Sequence, residues 1–139
     1  MIDMVLSDEV RQALTAGHLA HLTTLNADGS PQVTVIWIGL DNDEIVSAHL
    51  KLHKKAQNIQ RDNRVVLSLL TGGKTNGLDN YLVIHGRARV TEGGAPQLLN
   101  QLAQVYVGPG TQFAGDNAPE GYITHITVER VGGIGPWAK

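Results

Sequence analysis

Cysteine is absent from the 139-residue chain, so no disulfide framework, thiolate metal site or thiol nucleophile is available. No apolar run approaches the roughly 20 residues needed to span a bilayer as a helix. Aromatic residues make up only 4%, which leaves little material for stacking nucleic-acid bases. Excess charge is missing too: 11 Lys and Arg against 13 Asp and Glu give a formal net charge of −2. A broad basic surface of the kind that binds nucleic acid is therefore not expected. The N-terminus, MIDMVLSDEV, is too acidic and too weakly apolar for a secretory signal, which points to the cytoplasm. What remains is a chain with 42% hydrophobic and 17% charged residues. Its length suits one domain, residues 1–139, with one core.

Local patterns give an order of elements. Ser7 ahead of Asp8 and Glu9 reads as an N-cap with acids in the first turn, and Gly17 as the stop. LAHLTTL (19–25) and QVTVIWIGL (32–40) flank an Asp28-Gly29 turn and predict a β-hairpin, with EIVSAHL (44–50) as a third strand. A short helix is expected over about 54–60, and RVVLSLL (64–70) reads as a buried strand. The glycine-rich GGKTNGLDN (72–80) reads as a mobile loop. YLVIHGRARVTE (81–92) is a long strand, with a bulge or bend at Gly86. Pro96 opens a helix that Gly108-Pro109-Gly110 ends, and YITHITVERV (122–131) is the last strand before a GGIGPWAK tail. Strands without βαβ alternation predict a mostly β, six-stranded antiparallel barrel with peripheral helices.

Charge is concentrated in one place. Between Ala48 and Arg64 lie Lys51, Lys54, Lys55, Arg61 and Arg64 with a single acid, Asp62. Lys51 follows a strand, while Lys54 and Lys55 stand where a helix begins. Unpaired N–H groups and the positive dipole end there favour a phosphate, and His53 adds a donor when protonated. A solvated charged helix face is the other reading of the same residues. No glycine run precedes the lysines and no GxGxxG occurs, so neither common nucleotide loop applies. His18 and His21 straddle a turn and share no face; His85 and His125 sit within strand patterns, where neighbours can satisfy them. Arg87 and Arg89 alternate on one strand face, either solvated or serving a second anion. No metal-ligand set and no nucleophile triad emerges.

Taken in order, LAHLTTLNADGSPQVTVIWIGL, HKKAQNIQRDNRVVLSL, YLVIHGRARV and GGIGPW resemble the pyridoxamine 5′-phosphate oxidase-like superfamily of split β-barrel flavoproteins. Within it the chain is most similar to the small proteins that use the deazaflavin coenzyme F420. The resemblance covers roughly residues 7 to 137 and implies an FMN-binding split-barrel fold and a homodimer with cofactors at the subunit interface. It implies a reductase that passes hydride from reduced F420 to an unsaturated small molecule. FMN is the alternative cofactor, and a non-catalytic cofactor carrier the alternative class. By position, Lys55 matches the family's phosphate-binding lysine, with Lys51 and Lys54 as possible partners. His53 stands where an arginine is often found. Val33, Thr34, Val35, Ile36 and Trp37 become candidates for the ring, and Ala48 and His49 for the ribityl chain. Trp137 becomes a candidate lid over the partner's site, or else an interface or fraying end. Trp37 has a core role as its equal alternative. Catalytic residues are not assigned by the resemblance.

Overall fold

A computed structural model describes residues 5–137. Among them, three helices and seven strands follow one another as α1 (Asp8–Thr15), β1 (Ala20–Leu25), β2 (Pro31–Ile36), β3 (Gly39–Asp41), β4 (Glu44–His49), α2 (Lys54–Arg61), β5 (Arg64–Thr75), β6 (Leu78–Glu92), α3 (Ala95–Tyr106) and β7 (Tyr122–Ile134). The strands form one antiparallel sheet in the order β2-β1-β5-β6-β7-β4-β3. Its two ends, β2 and β3, are consecutive in the chain. Trp37 and Ile38 thus carry the backbone from one sheet edge to the other, which curls the sheet into a split barrel. The expected six strands become seven because the run 32–40 breaks at this crossing. Its polar backbone groups are not abandoned there: Ile38 N–H donates to the Tyr106 hydroxyl at 3.0 Å, and that hydroxyl donates to the His18 carbonyl at 2.8 Å.

Turn chemistry sets the hairpins. Gly29, with φ +85°, closes β1–β2, whose register runs from Ala20 opposite Ile36 to Leu25 opposite Pro31. The stretch 72–80 is a strand extension rather than a loop. Asn76 and Gly77 both take positive φ, a two-residue turn that joins β5 to β6, and the register shift between Leu70 and Lys74 absorbs the extra glycines. On the last strand, ladder pairing runs on to Ile134, past the expected end at Val131. Ser7 caps α1, its Oγ accepting from Val10 N–H at 3.3 Å. Inward side chains alternate along the strands: Leu22, Ile36, Leu67, Leu69, Leu82, Ile84 and Ile126 close the barrel interior, sealed by Val10 and Leu14 of α1.

Gly86 holds the bulge between β6 and β7. A Cβ there would sit inside contact distance of the Thr127 carbonyl and 2.9 Å from Ile126 Cγ2. Neither neighbour can yield without moving the ladder. Gly86→Ala is expected to cost about 3 kcal/mol of folding stability, read as a lower denaturation midpoint in urea. A midpoint equal to wild type would show that the bulge tolerates a side chain.

Candidate functional site

The helix α2 is set by a buried polar knot. Asn58 is 1% exposed. Its Nδ2 faces Thr24 Oγ1 at 3.1 Å and the side-chain oxygens of Asn26 and Gln32 at 3.0 Å each, two protons shared among three acceptors. Its Oδ1 accepts from Arg61 at 3.0 Å. Ala56 and Ile59 are buried beside it. These contacts lock α2 against the β1–β2 hairpin and aim its N-terminus at the end of β4.

That N-terminus is open. His53 occupies the cap position without a side-chain hydrogen bond, and the first turn carries no acid. The N–H groups of Ala56 and Gln57 both return to the His53 carbonyl, while those of Lys54 and Lys55 find no acceptor among the described residues. Lys55 is half-buried, and desolvation pulls its ammonium pKa below the usual value of 10.5. The protein therefore holds a cation partly out of water with no counter-ion beside it among the described residues.

In front of this helix end lies a groove of about 470 Å³. Its basic end is formed by Lys51, His53 and Lys55, its floor by Ser47, Ala48, His49 and Leu50 of the β4 end, and its far wall by Val35, Ile36, Trp37, Leu99 and Phe113. No acidic side chain of the described residues lines it. His49, 6% exposed, anchors the floor. Its Nδ1 lies 3.2 Å from the Lys51 carbonyl and its Nε2 2.9 Å from Thr124 Oγ1. A carbonyl only accepts, so Nδ1 carries the proton and Nε2 accepts from the threonine. Burial pushes the imidazole pKa below 6.5; the hydrogen bond to the Lys51 carbonyl pulls it up in part, and the charges of Lys55 and His53 add smaller downward pushes. At the far wall Trp37 stacks on Tyr106, with centroids 5.3 Å apart and planes at 12°, and meets Phe113 edge-on at 5.2 Å.

A pH dependence follows from His49. Because its folded pKa lies below the unfolded one, the unfolded chain binds more protons under acid, and stability is lost as pH falls below 6.5. His125, also shifted down by burial first, adds to the same slope. His49→Gln is expected to flatten the loss by up to about 1.4 kcal/mol per pH unit, seen by denaturation at a series of pH values. An unchanged slope would remove His49 as a cause.

Of the residues singled out from sequence, Lys51, His53, Lys55, Val35, Ile36, Trp37, Ala48 and His49 meet in this groove. Four do not line it. Lys54 is exposed. Val33 is 58% exposed and points out of the barrel. Thr34 points inward opposite Leu22, its hydroxyl buried with no partner among the described residues. Trp137 packs on its own chain, donating from Nε1 to the Tyr81 carbonyl at 3.1 Å. Other cations are engaged elsewhere: Arg61 of the basic stretch donates to the Leu25 carbonyl and to Asn58, and Lys74 pairs with Asp79 at 3.0 Å. Arg87 and Arg89 are tied to Glu129 and Glu44. Leu99 and Phe113 were not singled out, although a lone phenylalanine within GPGTQFAGDN is a signal in itself.

Comparison with known proteins places this geometry. Among curated proteins the chain is 34% identical, over 87 residues, to an F420H(2)-dependent biliverdin reductase of Mycobacterium tuberculosis (strain CDC 1551 / Oshkosh). The match covers 61% of this chain and 59% of that protein, so the chain spans well under two thirds of its relative. Among solved structures, an F420 reductase superposes with a TM-score of 0.73 at 22% identity, covering 91% of this chain and 98% of that one. An FMN-binding protein from Syntrophomonas wolfei subsp. wolfei gives a TM-score of 0.66 at 13% identity, covering 90% and 83%. These structural likenesses establish the fold. A family model described as pyridoxamine 5′-phosphate oxidase matches residues 6–134: the chain belongs to the pyridoxamine 5′-phosphate oxidase family.

Proposed function

We propose that the chain is an F420-dependent reductase, with the cofactor's phosphate at the α2 N-terminus and its ring system along the groove. The observation that carries this reading is Lys55: among the described residues, a half-buried ammonium without a counter-ion, beside two unpaired backbone N–H groups, at the end of a groove with no acid in its lining. An anion restores the solvation that burial removed. Exposed Lys51 and Lys54 stand close by for the carboxylates of the F420 tail. The name of the curated relative supports the choice of F420. FMN is the second reading, favoured by the FMN-binding neighbour of the same fold; His53 weighs against it, since imidazole lacks the two-pronged fork of arginine.

Reduced F420, when bound, supplies hydride for an electron-poor double bond. The protein's own share is binding and orientation. Lys55 and the α2 amides hold the phosphate; the β4 end, kept rigid by His49 and Thr124, forms the floor; Trp37 and Leu99 close the far wall behind the cofactor. No carboxylic acid and no phenol of the described residues lines the groove, so the proton that completes the reduction comes from solvent or from the exposed His53 imidazole at its basic end.

A homodimer is part of the proposal. Across the outer sheet face run Val35, His21, Ser68 and Val83 in register, with Leu70 beside Tyr81. Val33, Val35 and Leu70 are 58%, 54% and 70% exposed, apolar members of a mixed band, with His21 and Ser68 between them, of the sort that a second copy covers. Val35 belongs to both band and groove, which puts the groove at the edge of such an interface. The setting is taken as cytoplasmic; no described helix is long and apolar enough to cross a membrane.

Turnover separates an enzyme from a carrier. Under anaerobic conditions, reduced F420 with the protein and a quinone or enone acceptor is expected to be oxidised faster than without the protein. Tight binding with no acceleration by any acceptor would make the chain a cofactor carrier.

A further inference from the structure

The groove's far wall includes an aromatic side chain that folding does not require. Phe113 is the chain's only phenylalanine, and 57% of its surface faces solvent. Holding a loop in one shape costs conformational entropy, and an exposed ring returns little by burial. This loop is nonetheless clamped. Asn100 Oδ1 accepts from the N–H groups of both Phe113 and Ala114 at 2.8 Å, and Asn100 Nδ2 donates to the Ala114 carbonyl at 3.3 Å. One turn along α3, Gln104 accepts from Gly110 N–H at 2.6 Å and donates to the Thr111 carbonyl. Ala114, 4% exposed, is the loop's buried anchor. Two amide side chains of one helix thus fix the loop, and what they present is the Phe113 ring.

The ring is presented to a specific neighbour. Phe113 meets Trp37 at 66° and 5.2 Å, and Trp37 is itself backed by Tyr106. Both members of this edge-and-face corner line the groove. A flat conjugated system gains from such a corner through dispersion and the ring quadrupoles, whereas a compact saturated ring does not. The cationic end fixes a phosphate-bearing cofactor from the other side, but an acceptor must enter and leave on every turnover. The exposed ring of Phe113 stands on the solvent side, where that traffic passes.

We infer that Phe113, held in place by Asn100, is the specificity-determining residue of the groove, selecting planar conjugated acceptors. The inference rests on the reading of the groove as an F420 site. Asn100 is a positioning residue, acting only through the loop.

The test compares two acceptors, menadione as a planar quinone and cyclohexenone as a compact puckered enone, in anaerobic assays with reduced F420. Wild type is expected to favour menadione in kcat/KM. In Phe113→Leu, which keeps apolar volume without a ring, the ratio of the two kcat/KM values is expected to fall by about tenfold, with the F420 Kd within about twofold of wild type. Asn100→Ala, confirmed folded by its melting curve, is expected to reproduce that fall. An unchanged ratio in Phe113→Leu, no planar preference in wild type, or a loss confined to F420 affinity would overturn the inference. Wild type that binds no F420 would overturn the underlying reading, and this one with it.

Discussion

Replacing Lys55 with methionine is expected to weaken F420 binding by about 10- to 100-fold, the worth of a charge-assisted contact to a phosphate. Methionine keeps most of the aliphatic stem in its half-buried place, so packing is nearly unchanged. The cofactor-free protein is expected to lose no stability. Desolvation already pulls the Lys55 pKa down, which means the folded state is a less favourable place for that charge than the unfolded chain. The sign can be checked with pH: between the lowered folded pKa and the unfolded value of 10.5 the unfolded chain binds more protons, so wild-type stability rises with pH through that window. Lys55→Met lacks that rise. Calorimetric titration reads the affinity, and a melting curve of the free protein reads the stability. Full-strength binding by Lys55→Met would remove the cradle assignment.

Asn58→Ala is expected to lower stability by about 2–4 kcal/mol. The substitution leaves the side-chain oxygens of Thr24, Asn26 and Gln32 without their shared donor, and Arg61 without one of its acceptors. Asn58→Asp keeps the shape but turns acceptor towards acceptor, so it is expected to be no better than alanine despite the nearby Arg61. Because Asn58 aims α2, both variants are also expected to weaken F420 binding, although neither touches the groove. Urea denaturation and the same titration report the two effects. An Asn58→Asp protein as stable as wild type would mean that the knot does not depend on the donors of the amide.

Much of the fold was legible in local chemistry. Ser7, Gly17, Asp28-Gly29 and Pro96 marked element ends where they are found, and the bulge at Gly86 lies where the strand pattern put it. Two features were not. Residues 32–40 form one continuous run of strand-forming residues with no turn residue before Gly39, so nothing local signals that the strand crosses between sheet edges at Trp37 and Ile38. The crossing is permitted by Tyr106, a residue distant in sequence. In 72–80 the glycines outweighed the Asn76-Gly77 pair, yet that pair is itself a hairpin turn signal. At the site, the basic stretch and the β4 end were visible because they are contiguous. Phe113 and Leu99 were not, because only tertiary packing of α3 against β4 brings them to the groove. The charge count of the basic stretch overstates the site, since Arg61 is engaged by the Leu25 carbonyl and Asn58, and the Leu25 carbonyl lies on a strand that the sequence does not place beside it.

The central claim is that the groove before α2 is a deazaflavin site. Fluorescence titration of the purified, cofactor-free protein with F420 and, in parallel, with FMN tests it most directly. The account predicts tighter binding of F420, weakened by salt and by loss of Lys55. Preference for FMN, or F420 binding that ignores both salt and Lys55, would contradict it.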